Sequence, residues 1–335
     1  MEKKHKLLTF YVKCLVISLP VLLLVAFYAY KDPFMVLRSY ADYDHSWVVQ
    51  DEGAVAWEKY KQQRRSYHYD SFVMGTSCTK AFPCSIWQHY ITGCPFRFFS
   101  NAEGLGDVSL KLEALEEQPG QKIKNLLLVV ERSFFEKESA QGGIMHLMPP
   151  EVTGKTWASY QTEFLQSFFY PKFLVPYLKY AFTGYRDPKA SGVFYDDLPS
   201  RDRVTNEALL PEEAEIKRLG ERYWQQGEWN SESRKPCEPS LAPRVLGERQ
   251  IRMLADLQNF CERHHTNLTM VIGPNYQRER FNPDDLDILL HIFGPQCVYD
   301  YSHDDRFIDF HDYYDMSHYR AKVGEAIMKE IYGKR

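Results

Sequence analysis

The chain has no C-x-x-C pair among its seven cysteines, so the usual donor spacing of a structural zinc site is missing. It also lacks basic charge: the formal net charge is −4. The first thirteen residues hold Lys3, Lys4, Lys6 and Lys13 against Glu2, contributing +3, and the remainder is therefore −7. A nucleic-acid binder needs a basic face, which this balance does not supply. No internal repeat or low-complexity tract is present, which excludes solenoids and arrays. Long apolar runs are scarce as well, with a single one near the N-terminus.

That run, Cys14–Tyr30, carries no charge and follows the lysine cluster. With residues 7–12 added, it is long enough to cross a hydrocarbon layer of about 30 Å. Its positive flank places the N-terminus in the cytoplasm and the remainder outside, as a single-pass inner-membrane protein with a periplasmic or extracellular main domain. A cleaved signal peptide is the rival reading. Phe27, Tyr28 and Tyr30 are bulky where a cleavage site wants small residues, so an uncleaved anchor is expected. A buried core helix is the plainer alternative, disfavoured by the terminal position and the lysines.

The whole chain of 335 residues is 44% hydrophobic and 15% aromatic, ample for one large core. Residues 1–31 are read as cytoplasmic tip and anchor, 32–68 as a membrane-proximal connector along the outside of the domain, and 69–335 as an α/β domain. Short apolar runs at Phe72–Met74, Phe96–Asn101, Asn125–Glu131, Leu268–Gly273 and Cys297–Asp300 read as five strands alternating with helices. Such alternation implies a mainly parallel five-stranded sheet flanked by helices. Residues 134–243 interrupt it as an insertion, helical and aromatic-rich to about 204, a lid or partner face if it is more than packing, and polar and loop-rich from 205 to 243 with a helix at 211–226. Trp224 and Trp229 in it could stack on sugar rings or simply pack. Outside the membrane the six remaining cysteines could pair in an oxidising compartment, Cys84 with Cys94 most readily.

The stretch Tyr69–Phe82, YDSFVMGTSCTKAF, concentrates the chemistry. A buried strand breaks at Gly75 and delivers Ser77 to the first turn of a helix, at the carboxyl end of the sheet where such folds bind ligands. Most serines so placed are N-caps. Asp315-Met316-Ser317-His318, before the apolar stripe of a C-terminal helix, gives Ser77 a partner. An Asp and a His three apart at a helix entrance can point together, the carboxylate fixing the imidazole tautomer while the other nitrogen faces a serine. Cys78 is a rival nucleophile whose neighbours make it a buried small hydrophobe. The crowding of His303, Asp304, Asp305, Asp309, His311, Asp312, Asp315 and His318 offers a metal site as a second enzymatic reading.

The order strand-GTS, then N-x-x-x-x-G, then D-x-x-H near the C-terminus resembles the SGNH (GDSL-type) hydrolase superfamily. The likeness is greatest to membrane-anchored members around cell-envelope acyl transfer, such as the alginate O-acetyltransferases and the D-alanyl-lipoteichoic acid transfer protein. It covers 70–131 and 268–329, with the anchor and its Asp32-Pro33-Phe34 exit. The resemblance implies an SGNH/flavodoxin-like three-layer fold and makes Ser77 the nucleophile with Asp315 and His318 completing a triad. It makes Gly106, after Asn101, an oxyanion donor, and implies no cofactor. The substrates it implies are a cell-envelope glycan and an acyl donor, and its partner a multi-spanning membrane acyltransferase. The chain departs from the pattern after the third strand, where Glu131-Arg132-Ser133 replaces the family's Asn. Asn275, after the fourth strand, is a substitute donor. A non-catalytic envelope scaffold on the same fold is the alternative to serine-dependent acyl transfer or ester hydrolysis.

Overall fold

The computed structural model describes residues 2–139, 142–235 and 237–333. These form two compact units. One comprises residues 1–50 with 155–199, and the other 51–154 with 200–335.

The first unit is built on helix α1 (Glu2–Lys31). Its stretch Thr9–Lys31, 23 residues of mean hydropathy 2.4, is long and apolar enough to cross a membrane. Beside its C-terminal end the unit carries two further helices. Helix α4 (Trp157–Phe169) is capped by Thr156, and Pro171 opens helix α5 (Pro171–Thr183) after a one-residue break. Phe34 packs on Phe164 and Phe173 and Tyr28 on Phe168, so an aromatic cluster rather than sheet structure holds this unit together.

The second unit is α/β. Five strands, β1 (Ser71–Gly75), β2 (Pro95–Arg97), β3 (Asn125–Val130), β4 (Asn267–Ile272) and β5 (Val298–Asp300), pair in the order 2-1-3-4-5, and every pairing is parallel. β1 and β3 are buried on both faces, which is why they read as unbroken apolar runs. Side chains alternate across the sheet. Phe72, Met74, Leu126, Leu128, Met270 and Ile272 enter one core with helices α2 (Glu52–Tyr67), α3 (Leu105–Glu116), α7 (Glu248–His264) and α8 (Pro283–Phe293). Val73, Leu127, Val129 and Val271 enter the other, with helix α9 (Ala321–Tyr332) and the aromatic residues of 223–229. The parallel five-stranded sheet flanked by helices, expected from the alternation of strands and helices, is thus present.

Three local expectations change. Residues 32–68 do not form one outer connector. Residues 32–50 belong to the first unit, while α2 is a layer of the second and buries Trp57 and Tyr60 fully. The insertion at 134–243 is likewise divided, with 155–199 in the first unit. Among the described residues no disulfide is present: Cys84 and Cys94 are both free, and the Cys84 thiol faces the Thr205 carbonyl oxygen.

Candidate active site

β1 ends at Gly75, whose φ is +121° and where a Cβ would come within 1.9 Å of the Val129 carbonyl oxygen. Only glycine combines that dihedral with so close an approach of two backbones. Thr76 then donates its N–H to the same carbonyl at 2.9 Å, turning the chain over the end of β3. A 3-10 turn, Ser77–Ala81, follows instead of a full helix, and a one-turn helix, Cys84–Trp87, comes after Pro83. Cys78, Phe82 and Trp87 are buried there and Ile86 is half-buried. Ser77 opens the 3-10 turn, so its N–H has no intrahelical acceptor. In sheets of this strand order ligands bind where β1 and β3 diverge. Ser77 stands at that point.

His318 and Asp315 come from the loop before α9. An antiparallel bridge between Tyr313 and Tyr319 and the bond from Tyr314 N–H to the His318 carbonyl pinch this loop into a narrow hairpin. Asp315 and His318 therefore stand on a tight turn, not at a helix entrance as the pattern suggested; the helix begins at Ala321. One carboxylate oxygen of Asp315 accepts the N–H groups of Ser317 at 2.7 Å and His318 at 2.8 Å. The same carboxylate meets His318 Nδ1 at 2.7 and 2.9 Å, and His318 Nε2 lies 2.6 Å from Ser77 Oγ. A carboxylate can only accept, so Nδ1 carries the proton and Nε2 offers its lone pair to the serine hydroxyl. Burial pushes the Asp315 carboxyl up, but the His318 hydrogen bond and charge and the two backbone donors outweigh it. The net pKa lies below the ordinary carboxylate value. The group stays ionised, as an orienting carboxylate must.

The hairpin is held from behind by three aromatic side chains of the insertion. Tyr223 donates its hydroxyl to the Tyr314 carbonyl at 2.8 Å. Trp224 Nε1 donates to the Tyr313 carbonyl at 3.1 Å and Trp229 Nε1 to that of Tyr314 at 3.3 Å. Both tryptophans are buried and their N–H groups engaged, so they are not a sugar-stacking platform. The Tyr314 ring lies parallel to the imidazole, at 1° and 5.5 Å between centroids. These partners lie 85–91 residues from the loop they hold, a separation that no local periodicity reveals. A run of aromatic hydrogen-bond donors between 223 and 229 was the available signal.

The two residues expected to be oxyanion donors each donate to another acceptor. The Gly106 N–H donates to the Lys137 carbonyl at 2.9 Å. Gly106 is small because a Cβ there would strike the backbone of Glu138 and Ser139 at 2.5–2.6 Å. Close packing of α3 on the 137–139 segment thus accounts for that glycine. The side chain of Asn275 closes a ring with Glu279, donating to its carbonyl at 2.8 Å and accepting its N–H at 2.9 Å.

Cys78 is buried, its Sγ 3.8 Å from the Ser317 carbonyl oxygen. Burial raises its pKa far above the ordinary thiol range, the reverse of what a thiolate nucleophile needs. The side chains of the acidic and histidine-rich segment that suggested a metal are taken up in separate local contacts. Asp300 meets His303, Asp304 meets Arg306, His311 bridges Asp309 and Glu221, and Asp312 meets Lys322. Among the described residues no group of three or more such side chains is placed to hold a metal ion.

A cavity of about 570 Å³ opens beside the hairpin. Its wall includes Glu131, Arg132 and Ser133 after β3, Gly273 and Asn275 after β4, and Met316 and Ser317 between the Asp and the His. Arg132 is paired with Glu136 and Glu279, and the Ser133 hydroxyl donates to Glu131 at 2.6 Å. No family model, curated protein or solved structure matches the chain.

Proposed function

We propose that the α/β unit is a serine-dependent acyl-transfer or ester-hydrolysis centre. One observation carries this reading: the continuous relay Ser77–His318–Asp315, with a hydrogen bond of 2.6 Å between Ser77 and His318, 241 positions apart in the chain, and one of 2.7 Å between His318 and Asp315. A serine hydroxyl is a weak nucleophile until a base within hydrogen-bond reach takes its proton. In the proposed reaction the Ser77 proton passes to His318 Nε2 as Oγ bonds to the acyl carbon of an ester. Asp315 holds the imidazolium, and the Ser77 amide faces the developing oxyanion. The tetrahedral adduct expels its alcohol, which takes the proton from His318, and leaves an acyl-serine. A second hydroxyl, from an acceptor or from water, then gives its proton to His318 as its oxygen bonds to the acyl carbon, and the acyl–Oγ bond breaks as Ser77 Oγ takes that proton back.

The resemblance to anchored SGNH enzymes makes an O-acylated cell-envelope glycan the substrate class. The lysine flank of the apolar helix supports a position of the catalytic unit on the exported side of the inner membrane. The same resemblance makes a multi-spanning membrane acyltransferase the source of the acyl group. A specific observation favours a second reading, a non-catalytic scaffold: the Gly106 N–H and one N–H of the Asn275 amide go to other acceptors, and one missing oxyanion donor costs about 10²–10³ in rate.

The full-length protein in detergent, assayed on p-nitrophenyl acyl esters and with a fluorophosphonate probe, separates these. Turnover and labelling that disappear in Ser77→Ala and persist in Cys78→Ala support the triad. A wild-type protein that neither turns over nor labels is the scaffold.

A further inference from the structure

Helix α5 has two apolar faces and the protein covers only one. Phe173 and Tyr177 are turned inward, Phe173 against Phe34 at 4.6 Å and Tyr177 against Phe168 at 6.1 Å. On the other side Val175 and Phe182 are 65% and 77% exposed, with the half-buried Leu178 between them. Spacings of three and four residues put the three in one stripe. Exposed aromatics continue the patch at Tyr170 before the helix and Tyr185 after it. Lys179 lies 3.9 Å from the centre of the Tyr185 ring. A water-facing helix has no reason to present this stripe.

The depth of the patch follows from its neighbour. Phe182 stacks on Phe27 of α1, at 5.8 Å between centroids and 14° between planes. Phe27 precedes Lys31, the last residue of the span, by four positions. At 1.5 Å per residue it therefore lies about 6 Å inside the end of the apolar run. An amphipathic helix at a bilayer surface buries its apolar face about 5–10 Å into the headgroup and acyl boundary. The two depths coincide. Tyr30, with Lys31 5.6 Å from its ring centre, marks the same level on α1, as interfacial aromatics and lysines do.

We infer that α5 is an interfacial membrane helix. On this inference the stripe Val175–Leu178–Phe182 is seated in the lipid boundary of the leaflet from which α1 emerges, with lipid as its occupant. This rests on the reading of α1 as a membrane span. It adds a second attachment that would fix the tilt and rotation of α1, which a lone span leaves free.

The test places a photoreactive benzoylphenylalanine singly at Leu19, Val175, Phe182 or Glu325 of the full-length protein in phospholipid vesicles. Lipid adducts are then read by mass spectrometry. Leu19 reports whether α1 is in the bilayer, and Glu325, exposed on α9, is the water-facing reference. Adducts at Val175 and Phe182 at the level of Leu19, and none at Glu325, are expected. Adducts at Leu19 with none at Val175 and Phe182, or cross-links there to protein instead of lipid, overturn the interfacial helix and leave the span intact. Absence of lipid at Leu19 overturns the span and this inference with it.

Discussion

In the proposed relay Asp315 acts through His318 and not on substrate. Its carboxylate fixes which imidazole nitrogen carries the proton, and its two backbone hydrogen bonds fix where the ring stands. Asp315→Asn keeps the shape but lets the side-chain amide donate, favouring the opposite tautomer with Nε2 protonated towards Ser77. The expected result is a fall in kcat of about 10⁴-fold with a thermal transition close to wild type. Stopped-assay kinetics and a melting curve on the same sample check it. A variant that loses activity only in proportion to lost fold would reduce Asp315 to a turn former. The carboxyl also links stability to pH. Its folded-state pKa is depressed, so its contribution is present above the ordinary carboxylate value and is lost as pH falls through the folded value.

At the scale of elements, the reactive geometry depends on close approaches that a methyl group would block. α9 lies so near the Ser77–Ala81 turn that a Cβ on Gly324 would sit 1.8 Å from the Ala81 carbonyl oxygen. Gly324→Ala must push the helix off the turn that presents Ser77. It is expected to cost about 1–3 kcal/mol by overpacking, and to lose more activity than the fall in stability explains, because the 2.6 Å contact with His318 opens. Denaturant melts alongside kcat/KM measure the two effects separately.

The loop before the hairpin has its own clamp. His311 joins Asp309 and Glu221. Burial pushes its pKa down, but the two carboxylates prevail and it stands above the ordinary 6.5. Stability from this clamp is therefore fully present below about 6.5 and is lost as pH rises through the folded-state value. Melting temperatures of wild type and His311→Gln should differ in acid and converge in base. A gap independent of pH would mean that the ring acts by packing alone.

For the whole molecule, the five strands were legible in sequence because a parallel sheet covered on both faces needs unbroken apolar runs, and Asn125–Val130 is one. The short β2 was overextended, from three residues to six. Phe98 and Phe99 beyond it are buried without belonging to the sheet. The division into units was not legible. Residues 155–199 join the N-terminal helix across more than a hundred intervening positions, and aromatic packing carries no register that a sequence window can detect. That helix gives the prediction at this scale. Leu19→Arg with Leu23→Arg places two charges in the span, each costing about 2.5–3.5 kcal/mol at the membrane centre. The wild-type chain is expected to remain with membranes after carbonate extraction and the double variant to be released. Release of both would remove α1 as an anchor.

What the sequence determined by itself is what depends on near neighbours. The apolar run that can span a membrane, the strand that breaks at Gly75, and the Asp315 and His318 pair are each set within a few residues by hydropathy, backbone freedom and reach. The tertiary structure alone decided which distant groups meet. It brought His318 to Ser77 across 241 positions, gave Trp224 and Trp229 to the back of the hairpin instead of its mouth, and spent the Gly106 N–H on Lys137. A hydrogen-bond donor satisfies whichever acceptor folding places within about 3 Å, and that choice is made by packing at long range.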